Sequence, residues 1–130
     1  MNSVEANMLS NISDPIEGTW LPFKAELSGE CAPDLALAKL KLVFCDGAYA
    51  VHFGGEESDS GTYTSGVSEA FLTLTLVSRR GANAGRTIPS IYQLKGHLLR
   101  ICYGLDGTAT SSFASAPGSK CYLVSYRRKT

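Results

Sequence analysis

The chain has no surplus of either charge: twelve basic side chains meet twelve acidic ones in 130 residues. Proteins that are drawn to nucleic acid or to an anionic membrane surface carry a basic excess, so the balance argues against both partners. The run Arg127-Arg128-Lys129 is a local exception and reads as a solvated tail. Histidine is scarce, with only His52 and His97, and none of the four cysteines stands in a Cys-x-x-Cys pair, so a tetrahedral metal site has little to draw on. Neither a metal nor a cofactor is expected. No apolar run is long enough to span a bilayer as a helix. Residues 1–13 lack the basic start and apolar stretch of a secretory signal, and the expected location is cytoplasmic. In that compartment Cys31, Cys45, Cys102 and Cys121 are expected as thiols. Cys102 and Cys121 are the one pair to test for a bridge, should their strands be neighbours.

What the chain does have is glycine, thirteen of them, and short runs of period-two hydrophobicity. Residues 1–15 read as a flexible leader and residues 16–130 as one domain, a length that buries enough surface to fold without a staple. The first strand is expected from Ile16 to Glu26, with Pro22 at an edge or a bend. After a turn at Ser28-Gly29-Glu30, Pro33 to Lys39 reads as a short helix, either a lid over one end or a plain connection.

Alternation then takes over. Leu42 and Phe44 share one face, Asp46-Gly47 is a strong hairpin signal, and Tyr49, Val51 and Phe53 continue the apolar face on the return strand. Gly54 to Ser58 reads as a loop, Gly61 to Thr64 as a short strand, and Ser65 to Ala70 as a connection. Leu72, Leu74 and Leu76 turn inward between outward threonines. Gly81 to Gly85 is a loop, Ile88 to Lys95 a strand, and Gly96-His97 a tight turn into Leu98 to Tyr103, where Leu99, Ile101 and Tyr103 share a face. A long Gly, Ser and Thr-rich stretch, Gly104 to Lys120, precedes a final strand with Tyr122, Val124 and Tyr126 on one side. The whole is all-β: an antiparallel up-and-down barrel of about eight strands with one short helix, closed so that no long edge stays unpaired.

The catalytic candidates fail on spacing or context. Gly81-x-x-x-Gly85-Arg86-Thr87 resembles a phosphate-cradling loop, but it is one residue short, has arginine where lysine would reach the phosphates, and runs into a strand rather than a helix. Glu56, Glu57 and Asp59 could serve as an acid–base cluster, although a solvated acidic loop needs no such role. His52 falls on the outward phase, His97 sits in a turn, and the serines from Ser111 to Ser119 read as loop residues. The chain is therefore read as not an enzyme.

Ile-Glu-Gly-Thr-Trp at 16–20, Leu-Lys-Leu-Val-Phe-x-Asp-Gly at 40–47, Gly-Thr-Tyr-Thr at 61–64, Gly-Ala-Asn-Ala-Gly-Arg-Thr-Ile-Pro-Ser-Ile-Tyr at 81–92 and Leu-Arg-Ile-Cys-Tyr at 99–103 carry a resemblance. Together with Phe113 to Pro117 and the closing Tyr-Arg, they resemble a bacterial lipocalin-like domain family abundant in planctomycetes. That family has a lipocalin-type barrel and no function established in general. The resemblance implies that Gly18 and Trp20 close one barrel end, the indole packed against Arg127 or Arg128. Fatty-acid-binding barrels hold a ligand carboxylate with Arg-x-Tyr on the last strand. Here the triplet is Val124-Ser125-Tyr126, which puts such recognition in doubt, and Arg100 is expected to face outward.

The leading functional reading is a non-catalytic module that binds a small apolar or amphipathic ligand in the barrel or at its mouth. The candidate lining is Trp20 with the inward residues of each strand named above, although bulky side chains could fill so narrow a barrel. The mouth is expected between Pro33 to Leu40, Gly54 to Ser58 and Gly104 to Lys120. The alternative is a protein-interaction domain, such as an immunity or inhibitor protein acting through its loops; a hydrolase using Glu56, Glu57 and Asp59 is the weaker third reading.

Overall fold

The computed structural model of the protein describes residues 15–68, 71–105, 107, 113 and 121–129. The expected leader falls, apart from Pro15, outside them, as do Ser111 to Ser119 with the exception of Phe113 and most of the stretch before the last strand. Among the described residues there are nine strands: β1 (Gly18–Leu27), β2 (Glu30–Cys31), β3 (Leu40–Cys45), β4 (Ala48–Phe53), β5 (Glu56–Val67), β6 (Leu72–Gly81), β7 (Thr87–Lys95), β8 (Leu98–Gly104) and β9 (Cys121–Arg128). The short helix α1 spans Asp34–Leu37. Apart from β2, each strand pairs antiparallel with the next, and β1 pairs with both β3 and β9, so eight strands close into a barrel and β2 adds to β1 alone. No described helix is long and apolar enough to cross a membrane.

Alternation accounts for most of the wall. In β3 and β4, Leu42 stands opposite Val51 and Phe44 opposite Tyr49, all inward. Their hairpin turns at Asp46-Gly47, whose φ values of 52° and 80° are those of the two-residue turn that matches strand twist. Pro22 sits at an irregularity: Tyr126 pairs with Pro22 and Ser125 with Lys24, leaving Phe23 as the extra residue of a bulge. The bulge switches the inward phase of β1 from Trp20 and Pro22 to Ala25, all three of them buried.

Two boundaries differ from the sequence reading. The link between β4 and β5 is Gly54-Gly55 alone, because Glu56 to Ser58 already belong to β5, and β5 runs on to Val67. Its polar composition hid a strand whose inward positions near the mouth are Asp59 and Gly61. A second bulge causes this phase: Val51 pairs with Asp59 and His52 with Glu57, leaving Ser58 extra.

One end is sealed. Trp20, fully buried, donates its indole N–H to the Ile16 carbonyl at 2.8 Å, and the Arg128 guanidinium lies 4.3 Å over the ring. Arg128 also donates to the carbonyls of Glu17 (2.8 Å) and Pro15 (2.9 Å), while Arg127 lies over Phe23 on the outer wall. The Glu17 carboxylate accepts from the Asp46 and Gly47 amides and, at 2.6 Å, from the Tyr63 hydroxyl. Partial burial pushes its pKa up, but those three bonds prevail and hold it below the usual carboxylate value. Behind this seal Phe44 and Tyr63 meet edge to face at 4.9 Å, above Leu74, Leu99 and Ile101.

Gly18 explains the Gly-x-Trp spacing in physical terms. Its φ is +129°, and a Cβ there would stand 2.7 Å from Arg128 Nη1, so a side chain would meet both backbone strain and the guanidinium that covers Trp20. Gly18→Ala is expected to lower stability by about 1–3 kcal/mol, read from the urea midpoint at unchanged m-value. A midpoint equal to that of the parent would show that the Arg128 cover has no fixed position.

Candidate ligand cavity

The other end is open. Above the packed layer lies a cavity of about 390 Å³, near the small end of the roughly 300–1,000 Å³ usual for ligand pockets. The barrel is thus filled at its Trp20 end and hollow toward its mouth. Leu42, Tyr49, Val51, Leu76, Tyr103, Tyr122, Val124 and Tyr126 line it, as the strand phases predict. Trp20, Phe44, Leu74, Leu99 and Ile101 point inward too, but they form the packed layer and do not reach the cavity.

Phe53 and Leu72 are corrections to the expected lining. Both keep the inward phase, yet they are 45% and 39% exposed, since each lies at a strand end beyond the enclosed volume. The Lys39 ammonium lies over the Phe53 ring, 5.9 Å from its centre. Ile88 on β7 also lines the cavity, beyond the expected residues, and its alternation with Ser90 and Tyr92 carries the same period-two signal.

The rim is built from Leu40 and Lys41, Ser58, Leu105 and, unexpectedly, Ala82, Asn83 and Arg86 of the β6–β7 connection. That connection folds on itself through Gly85 N–H to Ser78 O and Ser78 N–H to Arg86 O, each 2.9 Å, and leads into β7. Its glycine-rich sequence serves a turn at the mouth and precedes a strand, not a helix. α1 packs against β1 with Leu37 buried and Leu35 exposed, and none of its residues lines the cavity.

The polar groups inside are few and connected. Asp59, half-buried, accepts from the Tyr49 hydroxyl at 3.0 Å and the buried Ser78 hydroxyl at 2.5 Å. Burial, opposed by a hydrogen bond with Ser78 and reinforced by the Asp59 charge, pushes Tyr49 up to about 12. Deeper, the Tyr103 and Tyr126 hydroxyls share one hydrogen bond of 2.7 Å, and Tyr122 stacks on Tyr103 at 5.9 Å between centroids. Burial drives the phenols of Tyr103, Tyr126 and Tyr122 above their ordinary value, so all three stay protonated near neutrality.

The remaining candidates do not converge. Glu57 pairs with outward His52 and accepts from Ser60, Glu56 is exposed, and Asp59 faces the cavity, so the three carboxylates form no acid–base pair. His52 is half-buried rather than solvent-facing, with a buried Nδ1 that makes no hydrogen bond. Among the described residues no group of three or more His, Cys, Asp or Glu could hold a metal ion. Arg100 faces outward, donating to Gln93 at 2.6 and 3.1 Å and lying 4.6 Å from the Phe113 ring centre. All four cysteines are thiols. Cys102 pairs with Leu123 and Cys121 with Gly104, so the one pair to test for a bridge lies on neighbouring strands, staggered by two residues. Compared with known proteins, the chain matches no family model, no curated protein and no solved structure.

Proposed function

We propose that the protein is a non-catalytic binding module of lipocalin-like type, taking a small apolar or amphipathic ligand through the open mouth into the cavity. The observation that carries this reading is the division of the barrel. Trp20, Phe44, Leu74, Leu99 and Ile101 pack the sealed end, while the other end keeps about 390 Å³ open behind a wall of Leu42, Val51, Leu76, Val124 and four tyrosines. That volume corresponds to roughly 13 waters at bulk density. A wall this apolar holds water poorly, and its displacement by an apolar body is favourable in proportion to the area covered. Closed hydrogen bonding among Asp59, Tyr49 and Ser78 leaves the carboxylate occupied as a wall fixture, which suits binding better than proton transfer.

The test is titration with N-phenyl-1-naphthylamine, a neutral apolar dye that brightens on leaving water, against the parent and Val51→Trp. Val51 is part of the cavity wall, and an indole there occupies the space without touching the sealed end. The parent is expected to bind saturably, one dye per chain, and Val51→Trp to bind at least about tenfold more weakly with an unchanged far-UV spectrum, the loss of about 1.4 kcal/mol of contact. No saturable binding by the parent, or equal binding by both, would remove the cavity from consideration.

A further inference from the structure

The hydroxyl pair deep in the cavity is incomplete. Each phenol has one proton to give and an oxygen that accepts. Tyr103 and Tyr126 bond to one another and to no other described polar group, so one O–H donates to its neighbour while the neighbour's own proton has no acceptor among the described residues. Both residues are more than nine-tenths buried, and both line the cavity. Their raised pKa values mean that this donor persists across the neutral range.

We infer that the ligand carries an uncharged oxygen acceptor, a carbonyl, ester or ether, on the part that enters the barrel, and that the Tyr103–Tyr126 pair donates its unused proton to that oxygen. This rests on the binding role proposed above. A neutral oxygen is favoured over a carboxylate because the cations among the lining residues, Lys41 and Arg86, belong to the rim, and Arg86 is exposed. An anion brought to the pair would lose its hydration with no opposite charge beside it, whereas a carbonyl needs only the one proton on offer. Asp59 makes no hydrogen bond to either phenol of the pair; its oxygens accept from the Tyr49 and Ser78 hydroxyls. The rings of the pair, with those of Tyr49 and Tyr122, would hold the apolar remainder of the ligand.

The probes are hexanophenone and hexylbenzene, equal in carbon number and differing by one carbonyl, each competed against the bound dye. The variants are the parent and the double substitution Tyr103→Phe with Tyr126→Phe. Removing both hydroxyls leaves no stranded partner and keeps the ring volumes, so the double variant is expected to fold. Hexanophenone is expected to weaken by about two- to tenfold in the double variant, the range of one net hydrogen bond, with hexylbenzene unchanged. Each single variant keeps one phenol proton and is expected to retain the ketone preference. Should the double variant fail to fold, tyrosine ring carbon shifts in the labelled parent provide the readout: the Tyr103 and Tyr126 signals move with hexanophenone and not with hexylbenzene. If both probes bind the parent and lose nothing in the double variant, the acceptor inference is overturned and the binding role stands. If neither probe nor dye binds the parent, both fall.

Discussion

Trp20→Ala is expected to remove about 3–5 kcal/mol of folding stability, the range for truncating a fully buried large aromatic. Against the roughly 5–15 kcal/mol that keeps a domain of this kind folded, that loss brings the barrel close to its unfolding limit. The indole fills the sealed end, its N–H satisfies the Ile16 carbonyl, and its face carries Arg128. Because it is the chain's single tryptophan, unfolding of the variant has to be followed by far-UV circular dichroism rather than by fluorescence. Arg128→Ala separates packing from the cation: it keeps the indole and removes the stacked charge with two carbonyl contacts, with an expected cost of about 1–2 kcal/mol. Arg128→Lys is expected to recover little, since an ammonium cannot reproduce a planar fork. A Trp20→Ala loss below about 1 kcal/mol would mean that the sealed end collapses around the deletion and is not a rigid plug.

The second large effect lies at alkaline pH. Burial holds the phenols of Tyr103 and Tyr126 well above their usual value, and Tyr49 is pushed up to about 12 by burial, with the Asp59 charge adding to it. In the unfolded chain these groups release their protons near pH 10. Above that point the unfolded state binds fewer protons than the native state, so stability falls as pH rises. The contribution is complete below about pH 10 and is lost progressively on the way to the folded-state values. Each tyrosine adds a slope of about 1.4 kcal/mol per pH unit, or about 2.7 for Tyr103 and Tyr126 together. Phenolate absorbance and circular dichroism, recorded against pH, are expected to change together above about pH 10. Removing both hydroxyls should flatten the stability slope. Six tyrosines ionising independently near pH 10 in a barrel that stays folded would overturn the account.

The barrel was legible where a strand has one dry and one wet face. Leu42 and Phe44, Tyr49 and Val51, Leu99, Ile101 and Tyr103, and Tyr122, Val124 and Tyr126 follow that alternation, and each faces inward. Asp46-Gly47 marked its turn because few other residue pairs accept two positive φ angles. The start of β5 reads as a loop at Glu56 to Ser58 because the bulge breaks the period and the next inward residues are Asp59 and Gly61. Phe53 and Leu72 misled for a different reason: phase tells which way a side chain points, but not whether the strand still has a barrel around it at that height. The Arg86 rim and the Tyr103–Tyr126 bond depend on strands adjacent in space rather than on any local signal. Pro22, read as an edge or bend, sits at the bulge that realigns β1.

Closure of β1 on β9 has a consequence for how the protein is made. Trp20 finds its register partner at Arg128, so the seam joins the first strand to the last, and β1 offers an unpaired edge for most of the time the polypeptide is being synthesised. The β3 to β8 hairpins can assemble as they emerge, since each pairs with its immediate neighbour, but the seam and the Arg128 cover over Trp20 have to wait for Cys121–Arg128. A chain that stalls before those eight residues exposes two edges and an uncovered indole, the features that draw chaperones and seed aggregation.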